Sequence, residues 1–142
     1  KSEDAVGYGT LYGDLCGGLA VLADVYKTEV YELVADINRE KEIIPQHIIT
    51  KAPSAELRPG QKDQDTLPPY DVLDKILFQY IELSQSPQDI LNLGFDEHTV
   101  RRTLKMVNSN EWKRFQFPPV LRVSPKAFGV GRRMPIEGKY LS

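Results

Sequence analysis

The 142-residue sequence contains one cysteine, one tryptophan and two histidines, and its formal net charge is only -2. A single thiol cannot build a disulfide framework or a cysteine-based zinc site. His47 and His98 stand too far apart in sequence for metal-ligand spacing and read as surface or structural residues. No apolar run approaches the roughly 20 residues that a membrane span needs, and no stretch reads as an export signal. A lone cysteine and no export signal fit a reducing cytosol. Hydrophobic residues make up 41% of the chain, too many for a disordered segment and enough for one domain with a core. The first residue is Lys1 rather than Met, which reads as a piece of a longer protein.

The near-zero net charge conceals an asymmetry. Residues 1–98 carry 8 basic and 18 acidic side chains, whereas residues 99–142 carry 10 basic and 2 acidic. A basic end attracts phosphate-bearing partners. It can equally pack on the acidic body of its own chain. Nucleic acid is the weakest of these readings, because the basic segment has no RNA-binding aromatic motif and no zinc-finger spacing.

Apolar periodicity predicts helices separated by long loops. Over 28–39, Val30, Leu33, Val34 and Ile37 share a face, with Thr28 as the expected cap. Pro45 opens a short helix through Ile49. Residues 70–83 form the strongest helix, with Leu73, Ile76, Leu77, Tyr80 and Ile81 in one stripe behind Pro68-Pro69. Ser86-Pro87 starts another. Asp96 caps the next, with Phe95 closing on Val100 as a hydrophobic staple. Residues 51–69 have no apolar period and four prolines, and Pro59-Gly60 suits the centre of a type II turn. A 19-residue loop in a compact domain is unusual and often functional. Beyond Pro118-Pro119 the chain reads as extended and basic, with a short strand over Val120–Val123. The visible part is therefore mainly α, without the strands of a complete doubly wound sheet.

Chemical signal concentrates in the first thirty residues, where Glu3, Asp14 and Lys27 stand among Gly7, Gly9, Gly13, Gly17 and Gly18. Glycine weakens helices by about 1 kcal/mol each and lets a ligand approach the backbone. If 3–14 were one helix, Glu3 and Asp14 would share a face about 16 Å apart, too far to hold one cation. Lys27, at the start of the 28–39 helix, is unfavourable with the helix dipole unless an anion or an exposed turn accommodates it. Asp14, after Gly13, is equally suited to a turn. The thiol of Cys16 reads as a small packed group.

KSE, GYGTLYGD, GG and DVYKTEVYEL follow one another in the first part of the chain. ITKAPSAELRPGQKDQDTLPPYDVLD, EWKRFQFPP and KAFGVGRRMPI follow them. In this order and spacing the sequence resembles the second half of the synthetase domain of NAD synthetases, in particular the long, glutamine-dependent form. The resemblance covers nearly all 142 residues. It implies the C-terminal part of an adenine-nucleotide α-hydrolase-like α/β domain whose parallel sheet begins upstream. The ATP-binding loop of that family, SGGxDS in type, does not occur in the sequence. The implied reaction is a two-step ligation. ATP adenylates the carboxylate of deamido-NAD, pyrophosphate leaves, and ammonia displaces AMP to give NAD. The ammonia comes from glutamine through a nitrilase-like domain of the same protein. The resemblance also implies Mg²⁺, a cytoplasmic setting and a homo-oligomer, with this chain inactive alone. It assigns Glu3 to Mg²⁺ on the ATP phosphates, Lys27 to those phosphates, and Ser54 to a mobile loop over 51–69 that closes on them. Asp14 corresponds to a catalytic, substrate-binding aspartate near deamido-NAD, and Lys113 and Arg114 to a basic pair close to that substrate.

Overall fold

The computed structural model describes residues 1–13 and 15–138. Asp14 and the last four residues lie outside the described set. Seven α-helices follow one another among the described residues: α1 (Ser2–Val6), α2 (Lys27–Ile37), α3 (Gln46–Thr50), α4 (Tyr70–Leu77), α5 (Pro87–Asn92), α6 (Glu97–Ser109) and α7 (Glu111–Arg114). A 3₁₀ turn at Asp63–Asp65 precedes α4, and a π-helical turn at Phe78–Glu82 extends it. The architecture is mainly helical, as the periodicity predicts.

The core forms where α4 crosses α1 and α6. Leu73, Leu77 and Ile81 present the α4 stripe to Ala5 and Val6 of α1, Val107 of α6, and Phe128 from the segment beyond Pro119. On the neighbouring face, Ile76 meets Ile90, Val100 and Leu104. Each of the α4 and α6 residues here is at most 1% exposed, so truncation of any one leaves a cavity. Phe95 packs on the cluster containing Val100, and the Asp96 carboxylate accepts the Thr99 N–H at 2.8 Å. Ser86 caps α5 by accepting the N–H of Asp89 at 3.2 Å. The 58–61 turn closes with the Gln61 N–H donating to the Arg58 carbonyl at 3.3 Å, and Gly60 holds the positive φ of 70° that a type II turn requires.

Three expectations are corrected. Thr28 does not cap α2. The helix begins at Lys27, and the Thr28 N–H and hydroxyl both donate to Asp74 of α4, at 2.9 Å each. No strand forms over Val120–Val123. Val120 makes an isolated bridge with Ala20, and the ladder stops because the Asp24 carboxylate takes the next available N–H groups, of Val123 and Ser124, at 2.8 and 2.6 Å. The condition of one helix from Glu3 onward is not met, because α1 ends at Gly7. Cys16 is exposed rather than packed, in a surface stretch from 16 to 19, with its thiol donating to the Gly13 carbonyl at 2.8 Å.

The end of α1 explains one of the five early glycines. Gly7 has φ 70°, and a Cβ there would stand 2.2 Å from Cγ of Asn110. Asn110 needs that proximity, because its amide donates to the Val6 carbonyl at 2.9 Å and closes the helix end. Between Pro119 and Phe128 the chain is fixed to the body. Asp24 binds it, Ser124 accepts the Lys1 ammonium at 2.7 Å, and Phe128 is 6% exposed.

Candidate functional site

α1 and the first turn of α2 meet α4 through a buried polar junction. The Ser2 hydroxyl donates to Asp74 and accepts the Lys27 N–H at 2.8 Å. Asp74 is 5% exposed and draws its donors from Ser2 and Thr28. A carboxylate at the N-terminus of α2 stabilises the helix dipole, which offsets Lys27 in the same turn. A polar residue inside the apolar α4 stripe was the available sequence signal for this role. The junction sets Glu3 and Lys27 side by side: Nζ of Lys27 donates to Oε1 of Glu3 at 3.0 Å. The same ammonium lies 5.5 Å from the centre of the Tyr70 ring. Both side chains remain about a third exposed, at 30% and 38%, so a ligand can reach them.

These residues line one side of a cavity of about 790 Å³. Ser54 and its neighbours in the 51–62 segment form another wall, and Lys113 a third. Ser54 accepts the Glu56 N–H at 3.1 Å and keeps its hydroxyl hydrogen to donate. Lys113 donates to the carbonyls of Gly7 and Gly9, at 2.6 and 3.0 Å. An ammonium has three donors, so one remains for a ligand. Four of the resemblance-assigned residues (Glu3, Lys27, Ser54 and Lys113) therefore share a single hollow. Asp14 lies outside the described residues.

Arg114 is not among the residues lining the cavity. It is 5% exposed and pairs with Glu111 at 2.8 Å. Its guanidinium donates to the carbonyls of Ala5 and Val107 and stacks 5.1 Å from the Phe128 ring. Burial pulls its pKa down and the Glu111 carboxylate opposes that change. Arg114 thus braces the end of α1 from behind, while its neighbour Lys113 faces the hollow.

Sequence reading missed Asp63, Tyr70 and Tyr8. Asp63 is 3% exposed and accepts the Tyr70 hydroxyl at 2.7 Å. That hydroxyl oxygen also stands 3.2 Å from Glu3. The Asp63 N–H donates to the Pro53 carbonyl at 2.9 Å, which joins the beginning and end of the 51–69 loop. Burial, with the carboxylates of Asp63 and Glu3 adding to it, pushes the Tyr70 phenol far above its ordinary range, so it stays neutral. Tyr8 is raised in the same direction, first by desolvation and then by the charge of Asp63. All three lie within the quoted motifs, but their contacts with one another and with Glu3 form only in the folded chain.

Among the described residues, no group of three or more His, Cys, Asp or Glu side chains converges to hold a metal. One carboxylate is nevertheless enough where a nucleotide supplies the other oxygen ligands, which is the usual way Mg²⁺ is held. Glu3 fits that limited role.

The NAD synthase family profile matches residues 1–117, over the whole of this constellation. The chain belongs to the NAD synthase family. A glutamine-dependent NAD(+) synthetase of Synechocystis is 57% identical over 96% of the chain, which covers 24% of that relative. The Thermotoga maritima synthetase of the same description is 52% identical over 99% of the chain, or 25% of its own length. The chain thus spans about a quarter of these NAD synthase family relatives. The crystal structure of a glutamine-dependent NAD(+) synthetase from Cytophaga hutchinsonii superposes with a TM-score of 0.66 at 27% identity, over 97% of this chain and 23% of that one. No helix among the described residues is long and apolar enough to cross a membrane.

Proposed function

We propose that this chain is the C-terminal part of a synthetase domain and forms one wall of a site that converts deamido-NAD to NAD. The Glu3–Lys27 pair at 3.0 Å, set on one cavity with Ser54 and Lys113, carries the reading. Glutamine-dependent NAD(+) synthetases related to it at 52–57% identity support it.

A carboxylate is a poor acyl donor because its oxygen leaves badly. Adenylation by ATP replaces that oxygen with a phosphate leaving group, and ammonia then displaces AMP. Lys27 offsets negative charge on the phosphates, and Lys113 serves the deamido-NAD substrate. Glu3 would help to hold Mg²⁺, which would supply Lewis-acid neutralisation of phosphate charge when bound. Ser54 donates its hydroxyl to a phosphate oxygen, and the 51–69 loop excludes water from the labile adenylate. Asp14 serves the deamido-NAD end. Arg114 acts on the site through the α1 carbonyls that it binds. Ammonia arrives from a nitrilase-like domain of the same protein.

The upstream parallel sheet belongs to the same proposal. No residue of α2 is buried, and Leu33 and Ile37 are 47% and 46% exposed. Leu19, Val21 and Leu22 add exposed apolar surface before it. Such a face needs cover, and the remainder of an α/β domain or a second copy in a homo-oligomer would provide it.

The test uses separated pieces. The 142-residue chain given deamido-NAD, ATP, Mg²⁺ and ammonia makes no NAD, and adding the upstream part of the synthetase domain restores ATP-dependent amidation. Turnover by the chain alone, or well-folded halves that remain inactive together, overturns the proposal.

A further inference from the structure

One polar atom at the cavity has no partner. Oδ1 of Asp63 is buried and receives no hydrogen bond, while Oδ2 accepts the Tyr70 hydroxyl at 2.7 Å. A buried carboxylate oxygen without a donor is costly, of the order of 1–3 kcal/mol or more, and is seldom left so unless a ligand completes it. None of the cations around the cavity bonds this oxygen. Lys27 binds Glu3, Lys113 binds two backbone carbonyls, and Lys51 binds Glu56. A phosphate is excluded at this oxygen by like charge. The donors left are neutral: the Tyr8 hydroxyl, which already interacts with the Asp63 carboxylate, and a hydroxyl of the ligand.

We propose that Asp63 Oδ1 accepts a sugar hydroxyl of a nucleotide bound in the cavity, which makes Asp63 a substrate-binding residue of this site. This rests on the functional reading above. The cations that suit phosphates and Asp63 line the same hollow, and a ribose hydroxyl lies closer to its phosphate than the far edge of the base does. Carboxylates take ribose hydroxyls in other nucleotide sites for the same reason: an acceptor-only group selects a donor. ATP and deamido-NAD both carry ribose, so the shared chemistry is the sugar hydroxyl.

The test is steady-state kinetics of the full-length parent protein, varying ATP and deamido-NAD separately. In Asp63→Asn the amide oxygen can still accept from Tyr70 while the free face becomes an N–H donor. The expected result is a KM raised about tenfold or more for one of the two nucleotides, with kcat within about threefold. The penalty disappears when that nucleotide is replaced by its analogue lacking the sugar hydroxyl, and the affected substrate identifies the source of the hydroxyl. Tyr70→Phe separates loop anchoring from ligand contact: it is expected to lower thermal stability while keeping the discrimination between ribose and deoxyribose. Unchanged kinetics in Asp63→Asn, equal rises in both KM values, a fall in kcat alone, a penalty that persists with the deoxy analogue, or a raised Mg²⁺ requirement each overturns the inference. If the Asn variant does not fold, loss of the ribose preference in Asp63→Glu gives the same support and its retention overturns the inference. An inactive wild-type protein instead overturns the functional reading and this inference with it.

Discussion

Asp74 of α4 reaches the first turn of α2 and accepts both the backbone N–H and the hydroxyl of Thr28, at 2.9 Å each. With Ser2 as its third donor, this one carboxylate joins three helices at the point where Glu3 and Lys27 are brought together. The site depends on this junction before it depends on any ligand.

Asp74→Ala removes a charged acceptor from buried donors. Hydrogen bonds to charged groups contribute about 1.5–3 kcal/mol each, and they are not additive here, so a loss of about 3 kcal/mol is expected. Urea denaturation followed by circular dichroism measures it. A loss below about 0.5 kcal/mol would mean that water replaces the carboxylate and the junction is not a stabilising element.

Gly7→Ala meets two obstacles, a φ of 70° and the Asn110 side chain at 2.2 Å. Strain and overpacking together predict a loss of about 2–3 kcal/mol. Asn110→Ala removes the obstructing group, so the double variant is expected to lose less than the sum of the two singles. Strict additivity in thermal melts would show that Asn110 does not contact residue 7.

Lys27→Met leaves folding nearly intact, because its pair with Glu3 is about a third exposed and such pairs contribute about 0–1 kcal/mol. Removing a preorganised cation from a phosphate site is expected to slow amidation by about 100-fold in the full-length protein. Coupled NAD detection gives the rate, and a melting curve gives the stability. A large melting shift with little kinetic effect would reverse the assignment of Lys27 from function to structure.

Acid sensitivity follows from Asp24. Burial raises its carboxyl pKa, but the Lys1 ammonium and the N–H groups of Ser124 and Val123 overcome that and hold it below the usual carboxylate range. A native pKa below the unfolded value gives stability that is present above about pH 4 and lost as pH falls through the native value. The contribution holds the 118–138 segment to the body. Asp24→Asn is expected to flatten the dependence of melting temperature on pH below about 4, and to expose Phe128 to fluorescence quenching or proteolysis nearby. An unaltered pH profile would remove Asp24 as its source.

Local regularities of the sequence were enough for the elements. The α4 stripe, the Ser86-Pro87 start and the Asp96 cap are written in neighbouring residues, because a helix needs only period, caps and a face. The same local logic failed at Thr28. A capping side chain there was plausible on its own, and it lost to a buried carboxylate 46 residues away. Val120–Val123 failed similarly, since a strand needs a ladder and Asp24 took the available N–H groups. Glu3, Lys27, Ser54 and Lys113 were found through ordered motifs, which carry residue identity without geometry. Asp63 and Tyr70 stand in the same motif as Ser54, but nothing in the motif marks the bond between them.

The sequence by itself determined which segments are helical, where a long irregular loop interrupts them, and to which family the ordered motifs belong. The tertiary structure alone decided that Lys27 turns to Glu3, that Lys113 faces the cavity while Arg114 is buried behind it, and that one oxygen of Asp63 is left without a donor. Helix period and caps act over a few residues, but hydrogen-bond partners are chosen by whichever group the fold brings within about 3 Å, at any separation along the chain.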